Sequence, residues 1–273
     1  MTADLDADWL ARLKQRLDAP PPQPRAPLAV AVGSALPAAI IGSIEATLAL
    51  ELAGAGLPLR DAGDAWQIEV PETPNAAQAI DAALAAIAHW LRSNGRAGKW
   101  RDELLAVTDA AGTPIGSVER AVVRPLGIAT LAVHLVVCDA RGNVWVQQRA
   151  LDKATDPGQW DTTVGGLIAA GESVAQTLAR ETWEEAGLRI DALQRVAPFG
   201  RFTEQRPLAE GYLVEHIEMF EALAPAGVVP VNQDGEVERF ECLARATLVD
   251  RLHADAFTLE AAMILAQWLA RQR

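Results

Sequence analysis

Cysteine is nearly missing from this chain: Cys138 and Cys242 are the only two among 273 residues. One such pair builds no disulfide framework, and the usage suits a reducing cytosol. Basic residues are in the minority, 24 Lys and Arg against 36 Asp and Glu, for a formal net charge of −12. That balance excludes nucleic-acid binding through a general basic surface. No window of about 18 uncharged apolar residues is present that would span a bilayer. The closest approach, Leu28 to Ile44, is interrupted by Gly33, Ser34, Pro37 and Gly42. The opening Met-Thr-Ala-Asp-Leu-Asp-Ala-Asp is acidic and has no basic n-region of a signal peptide. These absences lead to an expectation of a cytoplasmic protein with neither a membrane nor a nucleic acid as partner.

What is present is apolar bulk. Half of the residues are hydrophobic, enough to fill one large or two ordinary domains. Leu5, Trp9, Leu10, Leu13 and Leu17 recur at helical spacing and predict a helix over Asp4–Leu17, closed by the stiff Pro20-Pro-Pro-Gln-Pro24 connector. Leu28–Val32 reads as a buried strand, 34–52 is ambiguous, and Ala76–Arg92 reads as a helix carrying Ile80, Leu84, Ile87 and Leu91 on one side. Glu103–Thr108 and Ile115–Val118 read as a hairpin about the turn Asp109-Ala-Ala-Gly112. After the crossing Glu119–Gly127 the pattern turns to strands: Ala129–Cys138, Val144–Arg149 and Trp160–Ile168. Further strands are expected at Arg189–Val196, Leu213–Ala222 and Glu236–Leu243, with a last helix over Phe257–Ala270.

One segment carries chemistry. Five residues separate Gly166 from Glu172, seven more separate Glu172 from Arg180, and the run closes as Arg180-Glu181-Thr-Trp-Glu184-Glu185-Ala-Gly187-Leu188. Ser173 with Gln176 forms a capping-box start and Gly187 a C-terminal stop, so the acids lie on a helix. Glu181, Glu184 and Glu185 then stand at i, i+3 and i+4 and share one face. At 5–6 Å and an effective dielectric of about 20, each like-charge pair costs roughly 3 kcal/mol. A divalent cation bound by hard oxygen ligands removes that cost. A solvated acidic face is the alternative, but seven fixed residues coincide by chance at on the order of one starting point in a hundred million. Ala175, Ala179, Thr182 and Ala186 form a small-residue stripe that would let the helix sit close against a sheet.

Gly166, Glu172, Arg180, Glu181, Glu184, Glu185 and Gly187 together resemble the Nudix box, with Thr182 standing where a large aliphatic residue is usual. The resemblance implies a metal-dependent pyrophosphohydrolase of mixed α/β (α+β) class. Its fold would be an α/β/α sandwich with a mixed sheet over 121–273, preceded by a smaller α+β domain over 1–120. It further implies that Glu172 and Arg180 are a structural pair, with Glu172 a secondary metal ligand. Glu181, Glu184 and Glu185 would hold Mg²⁺, or Mn²⁺ in its place, and act on a small-molecule diphosphate. For the general base the candidates are Glu181 and Glu236, in the loop Asn232-Gln-Asp-Gly-Glu236, with Glu204 behind them. A homodimer is compatible with the chain.

Upstream of the box, Arg149 ends one expected strand and Lys153 lies in the next loop, where a planar fork and a point charge would meet a diphosphate. Asp161 would either orient Lys153 or read a polar substrate group. Trp145 and Trp160 would stack on a ring or pack in the core, and His134 reads as a satisfied histidine within a strand. The same stretch is similar to the isopentenyl-diphosphate isomerases, whose chemistry uses a cysteine in the strand before the box. Val164 occupies that position here with Thr163 beside it, so isomerase chemistry is not expected. Trp100-Arg-Asp-Glu103, Val118-Glu-Arg-Ala121, Leu126-Gly-Ile128, Val133-His-Leu135 and Lys153…Pro157-Gly…Asp161 resemble, in their order, a Nudix subgroup with an uncharacterised N-terminal domain (DUF4743), related to thiamine pyrophosphokinase. That resemblance implies hydrolysis of thiamine diphosphate, or its oxidised analogues, to the monophosphate. Residues 1–120 show no catalytic set and are expected to cap the site and shape substrate choice.

Overall fold

The computed structural model describes residues 5–33 and 38–272; Asp4 and residues 34–37, part of the predictions above, lie outside them. Helix α1, Ala7–Leu17, starts from the side chain of Asp6, which accepts from Asp8 N. Strands β1 (Arg25–Val32) and β2 (Ala39–Glu45) and helix α2 (Ala46–Gly54) resolve the ambiguous stretch into a strand followed by a helix. Strands β3 (Leu59–Asp61) and β4 (Trp66–Val70) were not anticipated. They complete a four-stranded sheet in the order β2-β1-β4-β3, with β1 and β4 parallel. Helix α3, Ala76–Ser93, buries Ile80, Leu84, Ile87 and Leu91 as predicted, and packs on the hairpin β5 (Leu104–Thr108) and β6 (Pro114–Glu119). One hydrophobic cluster joins these elements from Leu28 to Ile128.

A second sheet follows, built from β7 (Thr130–Cys138), β8 (Val144–Arg149), β9 (Trp160–Asp161), β10 (Val164–Leu167), β11 (Gln194–Leu208), β12 (Gly211–Leu223) and β13 (Val237–Leu243). Its path is β11-β12-β7-β8-β13, and β7 runs parallel to β12. Helix α4 (Val174–Ala186) covers one face; α5 (Arg245–His253), which the sequence reading missed, and α6 (Leu259–Arg271) belong to the other. Strand β7 is apolar on both sides for this reason: Ala132 and Val136 enter the α6-side core, while Val133, Leu135 and Val137 enter the α4-side core. The chain is thus a mixed α+β protein in which helices sandwich a mixed sheet, preceded by a smaller sheet-and-helix region.

Two expectations need correction. The run Trp160–Ile168 is not one strand. Trp160–Asp161 pairs with β8 and Val164–Leu167 with β7, so the chain switches neighbours at Thr162 and Thr163. Both threonines are fully buried, and their hydroxyls replace the lost ladder. Thr163 Oγ1 accepts from Val137 N at 2.9 Å and donates to Trp145 O at 2.5 Å. Strands β7 and β8 pair only at Val137–Trp145 and Cys138–Val144; beyond that they diverge, and the split opens a cleft. Secondly, Arg189–Val196 is strand only at its end: a 3₁₀ turn occupies Ile190–Ala192, and β11 begins at Gln194.

The N-terminal helix does not pack with the sheet that follows it. Trp9, Leu13 and Leu17 join the core of α6 and β12, with Met263, Trp268 and Met219. Trp9→Ala is expected to cost about 3–5 kcal/mol, read by urea unfolding of the whole chain; a loss under about 1 kcal/mol would show that α1 adds nothing to that core.

Candidate active site

Helix α4 is positioned from both ends. The Ser173 hydroxyl accepts from Gln176 N at 3.3 Å while the Gln176 side chain returns to Ser173 N at 2.9 Å. At the far end Gly187 takes φ 62°, a left-handed conformation that ends the helix. The predicted small-residue stripe is only half right: Thr182 and Ala186 are buried, but Ala175 is exposed, and Thr177, Leu178 and Glu185 complete the buried face.

Arg180 organises the acids around it. Its Nε and Nη2 meet the two oxygens of Glu172 at 2.9 Å each, and Nη1 reaches Glu181 at 2.8 Å and Glu184 at 3.0 Å. Hydrogen bonds from Arg180, with Thr177 adding one at 2.8 Å, hold the Glu172 carboxyl below its usual range. Glu181 is different. Burial pushes it up to about 7 despite Arg180, and the carboxylates of Glu184 and Glu236 add to the rise. Glu185 lies deeper, 3% exposed, and accepts from Gly165 N at 2.9 Å and Gln147 Nε2 at 3.0 Å. Burial pushes it up to about 8, with Gly165 N–H opposing. The shared face predicted for the three acids therefore divides: Glu181 opens into the cleft, Glu185 points under β10, and Glu184 sits half exposed at the helix edge.

Among the described residues, no three His, Cys, Asp or Glu side chains converge as a closed cation cage. The donor chemistry nevertheless fits a hard divalent ion. Two carboxyls on successive turns are both pushed toward neutrality by burial, with Glu184 and Glu236 adding to the rise at Glu181, and Glu181 to the rise at Glu185. A divalent cation held by them would oppose that rise in both.

The cleft at the split of β7 and β8 holds about 140 Å³ and is lined by Arg149, Lys153, Asp161, Gly166, Glu181 and Glu236 among others. Six positions singled out from the sequence thus meet in one place. Gly166 is there for space: a Cβ built on it would overlap the Glu181 carboxyl. On any substrate the protein turns over, Gly166→Ala should accordingly cut the rate at least about tenfold by displacing Glu181, with a circular dichroism spectrum like that of the wild type; an unchanged rate would show that the close approach is incidental.

Loop 231–236 is tied to the end of α4, by Val231 N to Ala186 O at 2.8 Å and Gln233 N to Glu184 O at 3.1 Å, which carries Glu236 to the cleft. There it pairs with Lys153. Burial would raise the Glu236 carboxyl, but Lys153, Arg120 and Arg101 outweigh it and hold the group below its usual range. Asp161 does not orient Lys153. It is 2% exposed and binds Arg149 Nη1 at 3.1 Å, while Arg149 also donates to Thr155 O at 3.1 and 3.3 Å. Glu204 is not a loop acid: it sits on β11, fully buried, paired with Arg206, and one of its oxygens has no partner. Beside it Glu260, on the first turn of α6, lines the cleft; burial and Glu204 raise its carboxyl well above the usual range. Glu260 gave no sequence signal because an acid in a first helical turn is ordinary; the i, i+2 spacing of Glu204 and Arg206 would have served had β11 been recognised. His134 donates or accepts with Thr162 Oγ1 at 2.8 Å, and burial lowers its pKa. Trp160 is buried beneath Arg239 and Arg251, and Trp145 packs in the α4-side core; neither lines the cleft.

Residues 129–263 match the family model described as the NUDIX domain. An uncharacterized Nudix hydrolase from Pseudomonas aeruginosa is 40% identical over 105 residues, covering 38% of this chain and 60% of that protein. A chloroplastic Nudix hydrolase from Arabidopsis thaliana is 29% identical over 179 residues, 63% of this chain and 49% of that one. An isopentenyl-diphosphate Delta-isomerase from Streptomyces coelicolor is 30% identical over 156 residues, 57% of this chain and 78% of that one. The chain spans about half to six tenths of the length of the two hydrolases it matches.

Proposed function

Since residues 129–263 match the NUDIX domain, we propose that the chain is a metal-dependent Nudix pyrophosphohydrolase that splits the diphosphate linkage of a small organic diphosphate. The observation that carries this is the opening of Glu181, over Gly166, into the cleft that also holds Arg149, Lys153 and Glu236. Glu181 at the cleft, with Glu185 beneath it and Glu184 at the helix edge, would hold the divalent ion, Mg²⁺ or else Mn²⁺. When bound, the ion screens phosphate charge and lowers the pKa of an attached water. Arg180 keeps Glu181 and Glu184 in register by donating to both. Lys153 takes the substrate phosphate, and in leaving Glu236 it frees that carboxylate to accept a proton from the attacking water. Arg149, braced by Asp161 and Thr155, presents its remaining edge to the same phosphate. Positioning and electrostatics do most of the work, as phosphoryl transfer needs little covalent help.

The finer reading is thiamine diphosphate, or its oxidised analogues, hydrolysed to the monophosphate and orthophosphate, with the N-terminal region as a cap of the subgroup type. The order of the motifs between Trp100 and Asp161 supports it. So does the layout of the cleft, cationic at Lys153 and Arg120 and acidic at Glu215, which suits a diphosphate joined to a cationic ring. Phosphate release from thiamine diphosphate, its oxidised forms, nucleoside diphosphate sugars and dinucleotides with Mg²⁺ tests this. Turnover of nucleotides alone would replace the thiamine reading, and ligand binding without any turnover would make the protein a binding module. The isomerase reading gains nothing from the cleft, which neither cysteine lines: Cys138 Sγ sits 3.5 Å from Ala222 O, and Cys242 is exposed.

A further inference from the structure

The cations expected to hold the diphosphate are largely engaged already. Arg149 is braced on Asp161 and Thr155, Lys153 is paired with Glu236, and Arg206 with Glu204. Further positive charge lines this cleft beside them. It comes from outside the NUDIX match. A smaller cavity of about 70 Å³ adjoins the cleft and shares Arg120, Arg124, Thr155 and Glu215 with it; Lys99, Arg101 and Glu210 also line it.

This wall is built rather than incidental. Glu119, 5% exposed, accepts from Arg101 N at 2.9 Å and Ala121 N at 3.4 Å, so one buried carboxylate fixes the backbone on both sides. Gly98 N donates to Ala121 O at 2.9 Å and Arg120 N to Glu103 O at 2.9 Å. Arg120 and Arg124 lean outward on Glu103, at 2.8 Å, and Glu210, at 3.3 Å, each with further N–H donors left for the cleft. Among the described residues Lys99 and Arg101 have no acidic partner. Arg120 and Arg101 add to Lys153 in holding the Glu236 carboxyl below its usual range.

We propose that the segment from Lys99 to Arg124 supplies a second phosphate subsite of this cleft, with Arg101 and Arg120 binding the phosphate group farther from Glu181. This rests on the hydrolase reading for its place in the reaction, though not for its chemistry. Planar guanidinium groups bind phosphate oxygens in pairs, and the N-terminal region thereby completes the site it covers. The test is equilibrium binding of inorganic pyrophosphate to the full chain in EDTA, by calorimetry at low salt. Arg101→Gln should weaken binding at least threefold and Arg101→Gln/Arg120→Gln at least tenfold, while Arg141→Gln, in an exposed turn, changes nothing. Arg101→Gln leaves the buried Glu119 contacts intact, since they use the main chain, and so tests the idea even if the double variant fails to fold. On a turned-over substrate the same variant should raise KM with kcat within threefold of wild type. Undetectable binding of pyrophosphate by the wild type at millimolar concentration, or variants within twofold of it, would overturn the subsite. Absence of turnover with pyrophosphate binding intact would remove the hydrolase reading alone.

Discussion

Glu181→Gln should lower kcat on any diphosphate the protein turns over by roughly 10²–10⁴-fold and leave the fold intact. The carboxyl opens into the cleft beside Lys153 and Glu236, and Gln keeps its volume and its contact with Arg180 Nη1 at 2.8 Å. It removes only the charge, which is the property a metal ligand or a base needs. Burial already disfavours that charge and pushes the group up to about 7, so the variant should unfold at the same or a slightly higher temperature. Glu236→Gln should fall between this variant and wild type, because its loss costs a proton acceptor and also releases Lys153. Steady-state rates beside thermal melts decide the matter. A Glu181→Gln enzyme within tenfold of wild type would remove this residue from the chemistry and pass the role to Glu184 and Glu185.

Without divalent metal, the protein should lose stability as pH rises from about 4.5 to about 8, and Glu185→Gln should flatten that loss. The sign follows from proton counting. Glu185 is pushed up to about 8 in the fold, against about 4.3 in an unfolded chain. Between those values the folded chain holds a proton that the unfolded chain has released. Stability is therefore full below the unfolded value and declines as pH climbs through the folded one. The whole effect is about 3–5 kcal/mol as an upper bound, with Glu181 adding in the same direction. A divalent ion at the site takes the proton's place, so its addition at neutral pH should raise the melting temperature and release protons to the buffer. Melting scans over this range with EDTA or Mg²⁺ give the answer. A metal-free midpoint that rises toward pH 8, or a metal-induced shift unchanged in Glu185→Gln, would contradict the placement of this carboxyl.

The acidic helix was legible because its signals are local. Ser173, Gln176 and Gly187 fix its ends by hydrogen bonds spanning a few residues, and Arg180 reaches Glu172 and Glu184 within two turns. The β3–β4 pair was overlooked although Trp66, Ile68 and Val70 alternate with Gln67 and Glu69. Strand β11 was harder, since Pro198, Gly200 and Pro207 interrupt its pattern. It stands at the sheet edge, where prolines are tolerated, and gains its order from pairing with β12. The split at Thr162 and Thr163 had no periodic signature, because it replaces ladder hydrogen bonds with two hydroxyls.

Sequence alone singled out the residues proposed for the chemistry: a capped helix with its acids one turn apart, and an arginine and a lysine in the strand and loop before it. Those features follow from main-chain geometry and near-neighbour hydrogen bonds, which act over a few residues. Tertiary structure alone decided that Glu185 is sunk under β10, that Arg149 is braced on Asp161, that Glu204 and Glu260 share a buried corner, and that Arg120 and Arg124 line the cleft. These outcomes depend on burial and on charges brought together from distant parts of the chain, and such proximity exists only once the two sheets and their helices have packed.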